Sequence, residues 1–117
     1  MMKSRSVAIG LAALAASLVS WQASAVAASA ENGKAAFLRH GCWQCHGYQG
    51  QGGIAGLRLA PNPIPFETLS NFVRTTNRAM PPFSKAILSD EDLADIYAYL
   101  QSIPKGPDPS SIPLLNQ

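Results

Sequence analysis

The sequence predicts one all-α domain with about three to five short helices. Three observations indicate this. Apolar residues recur at helical spacing in several segments, and no segment shows the alternating pattern of a convincing strand. A third is that Gly and Pro concentrate between residues 47 and 64, a composition typical of loops. The 117 residues are enough for a single domain.

The first 30 residues differ in composition from the rest and predict a cleaved secretory signal peptide. Lys3 and Arg5 are followed by an apolar run over residues 7–21, and "QASAVAASA" then offers small-x-small cleavage sites. The apolar run is shorter than the about 20 residues that span a bilayer, which favours a signal over an uncleaved anchor. We therefore expect cleavage before Glu31 and export to the periplasm.

Cleavage there would leave a small and formally neutral chain of 87 of the 117 residues. Lys+Arg falls from 9 to 7 because Lys3 and Arg5 are removed, and Asp+Glu stays at 7. This balance gives no indication of a nucleic-acid partner. So small a domain buries a limited share of its surface, and would be stabilised by a disulfide, a metal or a large apolar cofactor.

The predicted domain, residues 31–103, begins with a helix over residues 32–41, in which Gly33 and Phe37 share one face. A second helix is expected over residues 65–76, because Pro65 suits the first helical position. Its apolar residues are expected to join the core: Phe66, Leu69, Phe72 and Val73.

The last helix has the clearest boundary signals. Ser89 is a predicted N-cap, Asp92 follows three residues later as in a capping box, and Pro104 stops the helix. Its apolar residues recur at helical spacing: Leu93, Ile96, Tyr97 and Leu100. Residues 104–117 are predicted to form a Pro-rich, extended C-terminal tail.

The stretch "CWQCHG" contains the two cysteines of the sequence, Cys42 and Cys45, with His46 directly after them. A disulfide would close a loop of little entropic value and would leave His46 unexplained. A thioredoxin-like redox pair belongs near a βαβ unit. Zinc would need further ligands, and His40 is the one other histidine.

The spacing Cys-x-x-Cys-His attaches haem c, which accounts for all three residues. The Cys42 and Cys45 sulfurs would form thioethers with the porphyrin vinyl groups, and His46 would be the proximal iron ligand. We expect Leu57, Leu59 and Ile64, in the Gly- and Pro-rich loop, to face the ring.

Met80 is the predicted sixth iron ligand. The other two methionines lie in the predicted signal peptide, and Pro81 and Pro82 stiffen the "MPPF" segment. His40 is a weaker alternative ligand, because it lies just before Cys42 and is not expected to reach the opposite face of the haem. The preferred interpretation is that His40 is an exposed surface residue.

With "CWQCHG", "MPPF" and "LSDEDLADIYAYLQSIP" in place, the chain resembles small class I cytochromes c over nearly the whole segment after the signal. The resemblance implies helices wrapped around one covalently attached haem c, ligated by His46 and Met80. It also implies that the first helix crosses the last near Gly33. The family usually supplies a proline carbonyl to the axial imidazole, and here Leu57 occupies that position, with Pro61 a weaker candidate.

The chain is further similar to the cytochrome partners or subunits of bacterial periplasmic dehydrogenases. This implies an electron carrier and not an enzyme. The donor would be a dehydrogenase, and the acceptor a terminal oxidase or another cytochrome in the respiratory chain. No nucleic acid and no stable membrane insertion are expected. The alternative is a haem enzyme or gas sensor with a labile sixth ligand.

Overall fold

The computed structural model describes residues 27–116, so most of the predicted signal peptide and Gln117 lie outside the described residues. The predicted all-α class is confirmed, because the described part of the chain contains helices and no strands. The elements are α1 (Ala30–Arg39), α2 (Trp43–His46), α3 (Phe66–Thr75), α4 (Asp90–Ser102) and two short 3-10 helices, Pro109–Ser111 and Pro113–Leu115.

Helix α1 begins at Ala30, earlier than residue 32 where the sequence predicts its start. Ser29 is its N-cap, and the Ser29 side-chain oxygen accepts a hydrogen bond from the Asn32 backbone N–H at 3.2 Å. The Ser29 N–H also donates to Asp95 Oδ1 on α4 at 2.6 Å. Cleavage before Glu31, as the sequence predicts, would remove this cap from the folded protein.

The crossing of α1 and α4 is the main helix–helix contact among the described residues. Gly33 lies at the crossing, where an added Cβ would overlap the backbone carbonyl of Asp95. Beside this point the fully buried Phe37 ring packs against Tyr99, with ring centroids 5.7 Å apart. The expectation that Gly33 is the contact between the first and last helices is therefore confirmed.

The buried core lies between these two helices and α3. Leu69 and Val73 of α3 are buried, whereas Phe66 and Phe72 stay partly exposed, so the prediction of four core residues on this helix is half right. Phe66 instead packs edge-on against Tyr97 at the rim of the core. The other buried apolar residues are Ala36, Phe37, Ala60, Leu88, Leu93, Ile96, Tyr99 and Leu100.

The N-terminus of α4 carries the predicted cap. Ser89 Oγ accepts a hydrogen bond from the Asp92 backbone N–H at 3.0 Å. The Asp92 carboxylate contacts Arg39 Nη2 at 2.9 Å and His40 Nε2 at 3.4 Å. The prediction that His40 is an exposed surface residue is wrong, because its side chain is 11% exposed and lies against α4.

These contacts make the stability sensitive to acid. Desolvation pushes the pKa of Asp92 upward, but hydrogen bonds from Arg39 and His40 outweigh it and leave that pKa below its usual range. A lowered folded-state pKa stabilises the fold above the unfolded value of 3.8 and loses this effect as pH falls through the folded value. Asp92→Asn is therefore expected to reduce the loss of unfolding free energy at acidic pH. The reduction should be at most about 1 kcal/mol for so accessible a pair.

Urea unfolding at a series of pH values between neutral and acidic measures this difference. Glu91→Gln is the control, because it removes one charge from the same helical turn and leaves the Asp92 contacts intact. If the unfolding free energies of wild type and Asp92→Asn fall in parallel as the pH is lowered, the Asp92 carboxylate does not contribute to the acid sensitivity.

The C-terminal tail, predicted to be extended, folds locally into its two 3-10 helices. Asp108 accepts hydrogen bonds from the backbone N–H and side chain of Ser110. The Asn116 side chain donates to the Ser110 and Ile112 carbonyls at 2.8 and 3.1 Å. Local side-chain hydrogen bonds of this kind compete with an extended backbone, which explains the difference.

Candidate functional site

The Cys-x-x-Cys-His motif lies at and on the short helix α2, directly after α1. Cys42 is the N-cap of α2, and its N–H donates to the Phe37 carbonyl of α1 at 3.1 Å. Cys45 and His46 follow within the helix, at the i+3 and i+4 positions relative to Cys42. These positions share one helical face, so the motif brings two sulfurs and one imidazole to the same side.

Of the two cysteines, Cys42 is partly buried and Cys45 is exposed. Burial raises the pKa of the Cys42 thiol from 9.0 to about 11, although a backbone hydrogen bond opposes the shift. Redox-active pairs depend on a thiol of lowered pKa. The environment of Cys42 is therefore the opposite of that in a thioredoxin-like site.

The imidazole of His46 is oriented by the following loop. His46 Nδ1 lies 2.7 Å from the Leu57 carbonyl oxygen. A carbonyl can only accept, so Nδ1 carries the proton and the Nε2 lone pair is left for a metal. This is the hydrogen bond for which the resemblance to class I cytochromes c implied the Leu57 carbonyl and, as a weaker candidate, that of Pro61. Such a bond fixes the ring and raises its basicity as a ligand.

Gly56 allows the Leu57 loop to approach the motif helix. The loop is tied to α2 by the Gly52 N–H, which donates to the His46 carbonyl at 2.8 Å. A Cβ at Gly56 would lie 2.6 Å from Cys45 O and 2.9 Å from His46 Nδ1. Sequence reasoning recognised the loop composition but missed this residue. The one feature of the sequence that could have indicated Gly56 is its position directly before Leu57, whose carbonyl orients His46.

Gly56→Ala is expected to disturb His46 directly. The clashing atom is a backbone oxygen that no side-chain rotation can move, so the loop must shift away at a cost of about 1–3 kcal/mol. The shift weakens the hydrogen bond to Leu57. With His46 as the predicted iron ligand, the imidazole would then be a poorer donor to ferric iron, and the reduction potential would rise. A redox titration combined with a thermal melt measures both effects.

Gly53→Ala is the matched control, since its Cβ would meet Cys45 O at 3.5 Å, an ordinary contact. Equal potentials and melting temperatures for the two variants would mean that the close approach of Gly56 does not position His46.

Met80 lies in the segment between α3 and α4. It is half-buried and packs against the hydrophobic core, as does Leu59, another residue predicted to hold the cofactor. Leu57 is 82% exposed and Ile64 52% exposed, so the carbonyl of Leu57 is engaged while its side chain is not covered by protein. The ligation of iron by Met80 stays a prediction.

These residues fit haem c. Two cysteines at the required spacing, an imidazole with Nε2 available and a thioether in a stiff segment form the donor set that this cofactor uses. The accessible apolar side chains of Leu57 and Ile64 fit a group with a large apolar face. In residues 27–116 no group of three or more His, Cys, Asp or Glu side chains comes together as a metal site.

An all-α fold with an attachment motif after the first helix and a Met-containing segment before the last one defines a monohaem class I cytochrome c. A family model described as "Cytochrome C oxidase, cbb3-type, subunit III" matches residues 28–100. The chain belongs to this family, and it is an electron-transfer protein with covalently bound haem c. The matched residues include the whole motif and Met80. Searches of curated proteins and of solved structures found no match.

Proposed function

We propose that this protein is a periplasmic one-electron carrier, with His46 and Met80 as the iron ligands, that takes electrons from a dehydrogenase and passes them toward the respiratory chain. The observation that carries the proposal is the His46–Leu57 hydrogen bond, which leaves Nε2 of His46 available next to the two cysteines of the motif. When bound, haem c supplies an iron that exchanges one electron.

The chain contributes fixed positions for the ligands. Leu57 holds His46 in one orientation, and Pro81 and Pro82 stiffen the backbone directly after Met80. A thioether ligand raises the reduction potential and favours the reduced state. Two ligands held by the protein also change little between the oxidation states, which keeps the barrier to electron transfer low.

The periplasmic location rests on the signal-like composition of residues 1–30. Within residues 27–116, no helix combines the length and apolar character needed to cross a bilayer. After cleavage at the predicted site the chain would have equal numbers of basic and acidic residues. Free shuttles are often steered by net charge, so neutrality favours a carrier held by its partner.

A dehydrogenase donor is supported by the resemblance of the sequence to the cytochromes that serve such enzymes. The acceptor side is supported by the family description, which refers to an oxidase subunit. Both are consistent with a carrier placed between a dehydrogenase and a terminal oxidase or another cytochrome.

Purification of the tagged protein from its own host under mild conditions tests the proposal. The periplasmic fraction is collected, covalent haem is measured, and co-purifying proteins are identified by mass spectrometry. A flavin, quinone or molybdenum dehydrogenase that also reduces the haem on addition of its substrate would support the proposal and identify the donor. A haem protein that stays in the cytoplasm, or one that co-purifies with an oxidase alone and is not reduced by any dehydrogenase fraction, would overturn it.

A further inference from the structure

Arg74, in the last turn of α3, forms hydrogen bonds well beyond its own helix. Its Nη1 donates to the carbonyl oxygens of Phe83 and Leu88 at 2.9 and 2.7 Å. Its Nη2 donates to Asp90 Oδ1 at 2.9 Å. The side chain is only 15% exposed, so these bonds form largely out of water.

Two of the three acceptors belong to the segment that carries Met80. The chain leaves α3 after Thr75 and returns to it at Phe83, where the Phe83 N–H donates to the Val73 carbonyl at 2.9 Å. Residues 76–82 therefore form a short loop closed by the contacts of Phe83 with α3. Met80 lies within this loop, and the Phe83 carbonyl that Arg74 binds lies three residues further on.

The carbonyl contacts, more than the ion pair, are expected to hold the loop. Asp90 is accessible, and Lys85 Nζ also binds it at 2.7 Å. The hydrogen bond from Lys85, with that from Arg74, keeps the pKa of Asp90 below its usual range. Ion pairs in such accessible positions contribute little. Hydrogen bonds from a cation to covered carbonyl groups are stronger than neutral ones.

The third guanidinium nitrogen of Arg74, Nε, makes no such contact. Arg74 Nε is buried and has no hydrogen-bond partner among the described residues. A buried unpaired donor costs free energy. The hydrogen bonds of Nη1 and Nη2 therefore have to offset the cost of burying Nε.

We propose that Arg74 is a positioning residue for the sixth ligand: by binding the Phe83 and Leu88 carbonyls it closes the Met80 loop against α3 and keeps the thioether at the iron. The inference rests on the proposed ligation by Met80. A loop fixed at its end raises the effective concentration of its ligand. Loosening this end then increases the fraction of iron from which Met80 is released.

Arg74→Gln tests the proposal in the haem-loaded protein. Carbon monoxide binding to the reduced form reports release of Met80, and the ferric absorption band of sulfur-ligated iron gives a second readout. The loss of one charged hydrogen bond corresponds to an increase of about tenfold or more in the released fraction. Arg74→Lys keeps the charge but replaces a planar fork with a single ammonium, and is expected to lie between wild type and Arg74→Gln.

Two controls separate this role from general stabilisation. Asp90→Asn removes the ion pair and leaves both carbonyl bonds, and Arg39→Gln makes the same chemical change at the α1–α4 contact. Both are expected to bind carbon monoxide as wild type does, even where unfolding by urea becomes easier.

Wild-type carbon monoxide binding in both Arg74 variants would overturn the proposal, whatever their resistance to urea. If Arg74→Gln does not fold, Arg74→Lys decides the question in the same way. Adding Arg74→Gln to a Met80→Ala protein should leave its carbon monoxide binding unchanged. Failure of the proposed ligation is seen separately, because wild type and Met80→Ala would then bind carbon monoxide equally.

Discussion

Met80→Ala is expected to leave the haem attached and to convert its iron to a five-coordinate or water-ligated form that binds carbon monoxide readily. Loss of the thioether also lowers the reduction potential, because sulfur stabilises the reduced state. The fall should be a sizeable part of the ~0.8 V range over which axial ligands set haem potentials. A redox titration and carbon monoxide spectra of the purified protein measure these changes.

Met80 also packs against the core, so alanine removes packing as well as a ligand. Met80→Leu is the matched control, since it conserves volume at a cost of less than about 1.5 kcal/mol and still removes the sulfur. Both variants should share the low potential, and only Met80→Ala should lose stability from a cavity. Wild-type protein that binds carbon monoxide as readily as the variants would contradict ligation by Met80 and favour the gas-sensor or haem-enzyme alternative.

Gly33→Ala is expected to have the largest effect on the free energy of unfolding. The new Cβ would overlap the Asp95 carbonyl and lie 2.9 Å from the Ile96 nitrogen. These are backbone atoms of α4, so the two helices must move apart along their whole contact. We expect a loss of about 3 kcal/mol, the upper end of the usual cost of overpacking. This corresponds to a melting temperature lower by roughly 12 °C or more in so small a domain.

Thermal and urea unfolding of the haem-loaded proteins measure this loss. Gly106→Ala is the control, because a Cβ at Gly106 meets nothing within 4 Å. A Gly33→Ala protein that melts within a degree or two of Gly106→Ala would show that α1 and α4 can separate at little cost.

Features that depend on neighbouring residues could be predicted from the sequence. Ser89 was identifiable as the α4 cap because capping involves one helical turn. The attachment motif was identifiable because its chemistry fixes a spacing of three and four residues. The Leu57 carbonyl could be proposed because the resemblance to class I cytochromes c implies an acceptor at that position after His46, and the structure shows that hydrogen bond.

Features that depend on distant residues could not be predicted. His40 and Asp92 are 52 residues apart in sequence, and no local pattern indicates that one covers the other. Arg74 occupied an ordinary last-turn position for a basic residue, and only the path of the later segment brings the Phe83 and Leu88 carbonyls to it. The start of α1 was placed too late, because Ser29 and Ala30 also fit a cleavage site.

The crossing of α1 and α4 also affects how the chain folds. It joins segments far apart in sequence, since Arg39 of α1 and Asp92 of α4 are 53 positions apart, so a large loop must close before these contacts can form. High contact order of this kind slows folding. The attachment motif directly follows α1 and Met80 precedes α4, so the proposed bond between iron and Met80 would act as an internal cross-link. Cofactor attachment would then shorten the loop that the two terminal helices must close, and so speed folding.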